Sequence, residues 1–131
     1  MLLPDGVENP PVIICLQGHS TGMHISLGRP KFEGDEELIS GGDRDFCVRA
    51  VKEGYAAIAL EQRSFGECGD KNGCFTHSLT SVLIGRTTIG ERVWDVSRLI
   101  DVLQTEFKNV VDILPVVRDV SIPPCSHQPS E

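Results

Sequence analysis

The chain has 131 residues, of which 40% are hydrophobic and 24% charged, and its net charge is −7. This length suits one domain, or part of one, with a buried core. The acidic balance argues against nucleic acid and anionic membrane as partners, since both would repel the chain. No apolar run of transmembrane length occurs, and the start, MLLPDGVENPP, lacks the basic and apolar regions of a signal peptide. We therefore expect a cytoplasmic protein without a membrane partner.

Two apolar runs predict buried strands, at residues 12–16 and 55–60. Both lack polar alternation, which is typical of strands covered on both faces. A stripe at helical spacing lies between them and consists of Phe46, Cys47, Ala50 and Val51. It predicts a helix over residues 43–53 that begins at Asp43 and stops before Gly54. Strand, helix and strand in this order indicate a right-handed crossover between parallel strands.

Residues 18–42 separate the first strand from that helix, and the sequence predicts a long loop here. The loop carries glycines at positions 18, 22, 28, 34, 41 and 42, so its backbone can adopt unusual dihedral angles. It follows the carboxyl end of a parallel strand, where open α/β sheets place their ligands. Structureless loops of this length are usually functional or disordered.

The clearest predicted helix covers residues 88–107. Its apolar residues recur every three or four positions: Ile89, Val93, Val96, Ile100, Leu103 and Phe107. Thr88 and Glu91 have the spacing of a capping box, in which each side chain satisfies a backbone N–H of the first turn.

A third parallel strand is predicted to begin at residues 110–114. We expect Pro115 to interrupt it, because proline cannot donate a ladder hydrogen bond. Residues 115–131 are rich in proline and serine, which predicts an irregular tail behind a domain of residues 1–114.

Three segments together resemble the α/β-hydrolase superfamily, in particular its dienelactone-hydrolase and acetyl-xylan-esterase-like branch. They are QGHSTG, GGDRDFCVRAVKEGYAAIALEQRSFGE and GRTTIGERVWDVSRLIDVL, and the resemblance covers residues 2–112. It implies a partial α/β-hydrolase fold, in which parallel strands are flanked by helices. It also implies hydrolysis of a carboxylic ester through a serine or cysteine acyl-enzyme. We expect no cofactor.

The resemblance implies a role for residues 17–19, which follow the first strand. In such enzymes the loop at this place donates one backbone N–H of the oxyanion hole. We expect the N–H of His19 to be that donor, Gly18 to let the backbone approach the substrate, and Gln17 to contribute to binding. The simpler alternative is a strand-end turn with an exposed histidine. The His19 imidazole is not assigned as general base, since the base of the superfamily follows the nucleophile in the chain.

Two arginines lie near the same predicted edge of the sheet. Arg63 either holds a substrate anion, braces its loop through a bidentate carboxylate contact, or forms a structural ion pair. Gly66 is expected to support the turn that follows. Arg86 precedes the long helix and either lines a pocket or is a solvated cap residue.

Five cysteines, an odd number scattered along the chain, favour reduced thiols over a disulfide framework. We expect Cys15 and Cys47 to be small core residues. Two sets of side chains offer metal ligands: Cys68, Cys74 and His77 in one, and His19 and His24 in the other. The first set has no recognised zinc spacing and lacks a fourth ligand, and the second shares no helical face, so no metal site is expected.

In the superfamily a G-x-S-x-G elbow carries the nucleophile, and an acid and a histidine follow it in the chain. The elbow is expected just after the third strand, where residues 114–131 read LPVVRDVSIPPCSHQPSE. Ser121 and Ser126 lack flanking glycines there, and His127 cannot place its imidazole on the hydroxyl of its neighbour. We therefore expect the chain to lack nucleophile, acid and base. It would then be truncated before the elbow, or carry a frameshifted tail.

Two functions follow from these expectations. The first is the N-terminal portion of a carboxylic ester hydrolase, with a small ester as substrate of the full-length relative and no turnover by this chain alone. The second is a non-catalytic α/β module that binds a small anion or a partner chain through the glycine-rich loop and Arg63. A sheet of two or three strands would also expose an apolar edge, which predicts self-association.

Overall fold

The computed structural model describes residues 1–19, 21–69, 73–107 and 113–116, the last of these as backbone only. The strands are β1 (Val12–Cys15), β2 (Ala56–Ala59) and β3 (Ile113–Val116). The helices are α1 (Met23–Ser26), α2 (Asp35–Gly42), α3 (Phe46–Lys52), α4 (Gly73–Leu83) and α5 (Thr88–Glu106). A 3₁₀ helix spans Gly66–Cys68.

The three strands form a parallel sheet in the order β2-β1-β3. Val12 of β1 stands opposite Ala56 on one side and Ile113 on the other. Leu2 adds a short antiparallel bridge to Ala57 on the outer side of β2. The predicted α/β architecture with parallel strands is therefore confirmed, and β1 is covered on both edges.

Successive residues of a strand point to opposite sides of the sheet, so both faces of this sheet carry apolar side chains. Helices cover both faces. One core cluster joins Val12, Ile14, Ala56 and Ile58 to Leu103 of α5, with Val96, Leu99 and Ile100 packed against it. The other joins Cys15 and Ala57 to Cys47 and Ala50 of α3. The apolar runs of β1 and β2 reflect this double burial, as the sequence predicts.

The predicted helix over 43–53 is found as α3, but its start is different. Asp43 ends α2 in the left-handed region, with φ of 50°, and Asp45 precedes α3 without a side-chain cap. The end is as predicted: Gly54 has φ of 87°. The N–H groups of Gly54 and Tyr55 donate to the carbonyls of Val51 and Ala50, which is a Schellman motif.

The expectation of a structureless loop over residues 18–42 is wrong, because α1 and α2 lie within it. Asp35, Glu36 and Glu37 occupy the first turn of α2, where carboxylates are favoured by the helix dipole. The glycines at positions 41 and 42 lie inside α2. Because glycine is unfavourable within helices, they obscure the helical pattern in the sequence.

Helix α5 is found where it is predicted, but its cap lies one residue earlier. The Thr87 hydroxyl accepts the Gly90 N–H at 3.0 Å, so Thr87 is the N-cap and the predicted capping box of Thr88 and Glu91 does not form. The Glu91 carboxylate bonds to α4 instead. Helix α4 has no counterpart in the sequence prediction.

Strand β3 continues through Pro115 to Val116, so the expected interruption is not observed. Pro115 stands opposite Ile14 of β1. In the described sheet β3 is an outer strand, and there a missing N–H is tolerated. Residues 110–112 and 117–131 lie outside the described residues.

Candidate functional site

The order of the strands places a candidate site at their carboxyl ends. From β1 the chain crosses to β2 on one side, and from β2 it crosses back to β3 on the other. In parallel sheets ligands bind at such a reversal of strand order, outside the carboxyl ends. The described segments there are residues 16–19, 21 and 22 after β1 and residues 60–69 after β2, which we call the rim.

A hydrogen-bond network joins the two rim segments. The Gln17 amide donates to Glu61 Oε1 at 2.7 Å, and the Gln62 amide donates to the Gln17 carbonyl at 2.6 Å. The Glu61 carboxylate also accepts the N–H groups of Met23 and Glu67. Gln17 is only 5% exposed, so its side chain braces the rim. Glu61, which the sequence prediction missed, is the centre of this network.

Two glycines let the rim segments approach each other. Gly66 has φ of 48°, and a Cβ there would lie 2.5 Å from a Glu61 carboxylate oxygen. A Cβ on Gly22 would lie 2.5 Å from His24 Nδ1 and 3.0 Å from the Gly66 Cα. The predicted supporting role of Gly66 is therefore confirmed, and its physical reason is close approach.

Gly18 and His19 lie on the open side of the rim. A Cβ on Gly18 would meet no atom within 4 Å, and the His19 side chain is exposed. The N–H of His19 forms no hydrogen bond to another residue in the described part of the chain. The His19 ring packs edge-on against Phe65, with ring centroids 5.4 Å apart. Within the described part of the chain, the backbone donor at residue 19 therefore has no acceptor.

The sequence itself corrects one expectation. Residues 18–22, GHSTG, match the G-x-S-x-G pattern, whereas the elbow is expected only after the third strand. A nucleophile elbow requires a sharp strand-to-helix turn. In this chain β1 ends at Cys15, and α1 begins only at Met23 and has four residues. The pattern is therefore present without the spacing of an elbow, and Ser20 lies outside the described residues.

Arg63 braces the rim against α5. Its Nε and Nη2 donate to the two Asp95 carboxylate oxygens at 2.5 and 2.7 Å. Its Nη1 lies 3.9 Å from Glu91 Oε2. The hydrogen bonds with Asp95 raise the pKa of Arg63 further. Of the three roles left open by the sequence, the bidentate brace is observed, and the same contact with Asp95 is a structural ion pair.

Glu91 of α5 is surrounded by partners from α4 and the rim. It lies 2.9 Å from His77 Nε2 and accepts the Ser81 hydroxyl at 3.3 Å. Arg86 Nη1 lies 3.7 Å away. Burial raises the pKa of this carboxyl, but the bonds from His77 and Ser81 and the charge of Arg63 together hold the pKa below its ordinary value. Glu91 is therefore an ionised acceptor at neutral pH.

A cavity of about 500 Å³ opens beside this cluster. Its lining consists of Arg63, Arg86, Thr87, Gly90, Glu91 and Trp94. Arg86 is largely exposed and is held only loosely by Glu91. The sequence left open whether Arg86 lines a pocket, and the structure places it in the lining.

The cysteines and histidines do not gather around one point. Cys15 and Cys47 are buried, as predicted. His77 bonds to Glu91, whereas Cys74 contacts His19. His24 Nε2 lies 3.0 Å from the buried Asp35. No group of three or more potential ligands among the described residues has the geometry to hold a metal ion.

Comparison with known proteins gave no match, whether with family models, with curated proteins or with solved structures. The resemblance to α/β-hydrolases therefore stays a prediction. None of the described helices is long and apolar enough to cross a membrane.

Proposed function

We propose that this chain forms the oxyanion-binding side of a carboxylic ester hydrolase site of the α/β-hydrolase type, in which the His19 N–H stabilises the developing oxyanion. The observation that carries the proposal is the His19 N–H, which has no acceptor among the described residues and lies at the reversal of strand order. A fixed donor of this kind is typically worth about 2.7–4 kcal/mol in the transition state of acyl transfer.

The surroundings of residue 19 support this role. The bonds from Gln17 and Gln62 hold the segment before residue 19 in place, so its N–H needs little reorganisation when a charge develops. Gly18 leaves open space beside the donor. Arg63 supports the site indirectly, because Asp95 already occupies its guanidinium group.

An oxyanion site can be tested with a tetrahedral anion, because such sites bind transition-state analogues more tightly than planar ligands. We expect a methylphosphonate monoester to raise the melting temperature of the protein more than equimolar acetate does. His19→Pro removes the N–H and is expected to abolish the increase. His19→Ala keeps the N–H and loses only the imidazole, so it should retain the increase.

Two results would contradict the proposal. One is an increase that survives in His19→Pro, and the other is an increase that His19→Ala removes as completely as His19→Pro does. Chemical denaturation of both variants without ligand shows whether the substitutions alter the fold itself.

The proposal also predicts that the isolated chain does not turn over small acetyl esters. GHSTG lacks the strand-to-helix spacing of an elbow, and we assign no nucleophile to it. With the ester in large molar excess over the protein, the rate of hydrolysis should therefore equal the rate in buffer alone. Multiple turnovers that Ser20→Ala abolishes would show that this serine attacks the ester.

A second candidate function is supported by the cavity at the start of α5. Arg63, Arg86 and Trp94 lie in its lining, which suits a small organic anion in a non-catalytic module. In that case Arg86→Ala should abolish the stabilisation by ligand, and His19→Pro should not. The two functions are thus distinguished by the same melting experiment.

A further inference from the structure

The thiol of Cys74 lies against the imidazole of His19. Its Sγ is 3.6 Å from His19 Nε2 and 3.7 Å from Nδ1. The two residues come from different elements, since Cys74 is in the first turn of α4 and His19 is on the rim. The sequence does not predict that these two residues are in contact. An imidazole at this distance is a base within reach of the thiol proton.

A cation lies in the same cluster. The Arg92 guanidinium stacks on Phe65 at 4.0 Å from the ring centroid, and Phe65 also contacts the His19 ring. Arg92 Nη2 donates to the Arg63 carbonyl, and no carboxylate within the described segments pairs with Arg92. Burial lowers the pKa of Arg92, and a thiolate at Cys74 would act to raise it. An anionic sulfur would thus have a cation nearby that none of the described carboxylates neutralises.

We propose that Cys74 is a nucleophilic thiol, activated by His19 and open to covalent modification by soft electrophiles that carry a leaving group. Cys74 is half-buried, so a small reagent has access. The proposal rests on this geometry and does not depend on an esterase role of the rim.

The reaction with iodoacetamide shows the step that is proposed. The S–H bond breaks as His19 takes the proton, and the sulfur electron pair attacks the methylene carbon. A C–S bond forms, the C–I bond breaks, and iodide leaves with the bonding pair. The products are the carboxamidomethyl thioether, iodide and the imidazolium of His19, so no oxidant or reductant is consumed.

Cys68 provides an internal control, because it is an exposed thiol of the same chain. Trypsin cleaves after Lys71, so the two cysteines fall in different peptides and mass spectrometry reads each rate separately. An ordinary thiol with a pKa near 8.5 is only about 1% ionised at pH 6.5. At this pH we expect Cys74 to be alkylated at least about tenfold faster than Cys68, despite its lower exposure.

His19→Gln should reduce the Cys74 rate to that of Cys68 or below. His77→Gln is the matched control, since His77 lies on the same helix as Cys74 and bonds to Glu91 instead. It should leave the Cys74 rate unchanged. A wild-type Cys74 that reacts no faster than Cys68 would overturn the proposal without any variant. An equal loss of rate in His19→Gln and His77→Gln would also overturn it, because the effect would then be one of helix packing.

Discussion

The two halves of α5 are held by different interactions. Its C-terminal half packs on the sheet through apolar side chains, and Leu103 is 1% exposed. In the first turns of its N-terminal half, Ile89 and Val93 face outward, and Val93 is 61% exposed. This half is held by the carboxylates of Glu91 and Asp95, which bind α4 and the rim. One helix is thus part of the core at one end and part of the candidate site at the other.

The C-terminal end of α5 therefore contributes mainly to stability, and its N-terminal end contributes mainly to the candidate site. Apolar packing has no charge to titrate or to screen, whereas charged contacts near the surface depend on pH and on ionic strength. The charged end is also where the cavity and the rim meet. We therefore expect changes at the C-terminal end of α5 to affect the whole fold, and changes at the N-terminal end to affect mainly the site.

The largest expected effect distinguishes the two halves directly. Leu103→Ala should lower the free energy of unfolding by about 2–5 kcal/mol, because it leaves a cavity in the core. Val93→Ala should change it by less than about 0.5 kcal/mol, since the valine side chain is largely in solvent. Urea denaturation of both variants measures the difference. Equal losses would mean that Val93 is covered in solution.

A smaller effect is expected at the rim. Gly66→Ala should cost about 2–3 kcal/mol, because it combines a positive φ with a clash against Glu61. Gly54→Ala is the matched control: its φ is also positive, but nothing lies within 4 Å of its added Cβ. That control should cost only about 1 kcal/mol. Equal stability of the two variants would show that Gly66 and Glu61 are not in close contact.

The smallest effect concerns pH and the charged end of α5. The pKa of Glu91 is lower in the folded state than its ordinary value of 4.5. Its contribution to stability is therefore present above that value and is lost as the pH falls through the folded-state pKa. Denaturation between about pH 6 and pH 3 should show a steeper loss for the wild type than for Glu91→Gln. Parallel profiles would show that Glu91 is not stabilised as an anion.

The sequence predicts those elements whose pattern is local. The apolar runs give β1 and β2, the apolar stripe gives α5, and Gly54 marks the end of α3. Even there the start of α3 and the cap of α5 were misplaced, because Asp43, Asp45, Thr87 and Thr88 are all plausible caps and only backbone geometry decides among them.

Helix α4 is not predicted from the sequence, because its polar residues face the interior and its apolar residues face solvent. Its inward side carries Cys74, His77, Ser78 and Ser81, and Ser81 is 3% exposed. Its outward side carries the apolar residues Phe75, Leu79, Val82 and Leu83. Several residues of this polar stripe have partners outside the helix, such as Glu91 for His77 and His19 for Cys74.

The site shows the same limit of sequence reasoning. The resemblance to α/β-hydrolases, and no local pattern, singles out residues 17–19, which lie at the rim after β1. The Arg63–Asp95 pair and the Cys74–His19 contact join residues 32 and 55 positions apart. Such contacts arise from the crossing of the chain over the sheet, and no local pattern contains them.

The most direct test of the role of residue 19 is the amide spectrum of ¹⁵N-labelled protein during a titration with the methylphosphonate monoester. We predict that the residue 19 amide shifts with saturation in the wild type and in His19→Ala, together with its rim neighbours Gly18 and Thr21. An unchanged residue 19 amide, with shifts confined to Arg86, Thr87 and Gly90, would contradict the oxyanion role and place the anion in the cavity at the start of α5.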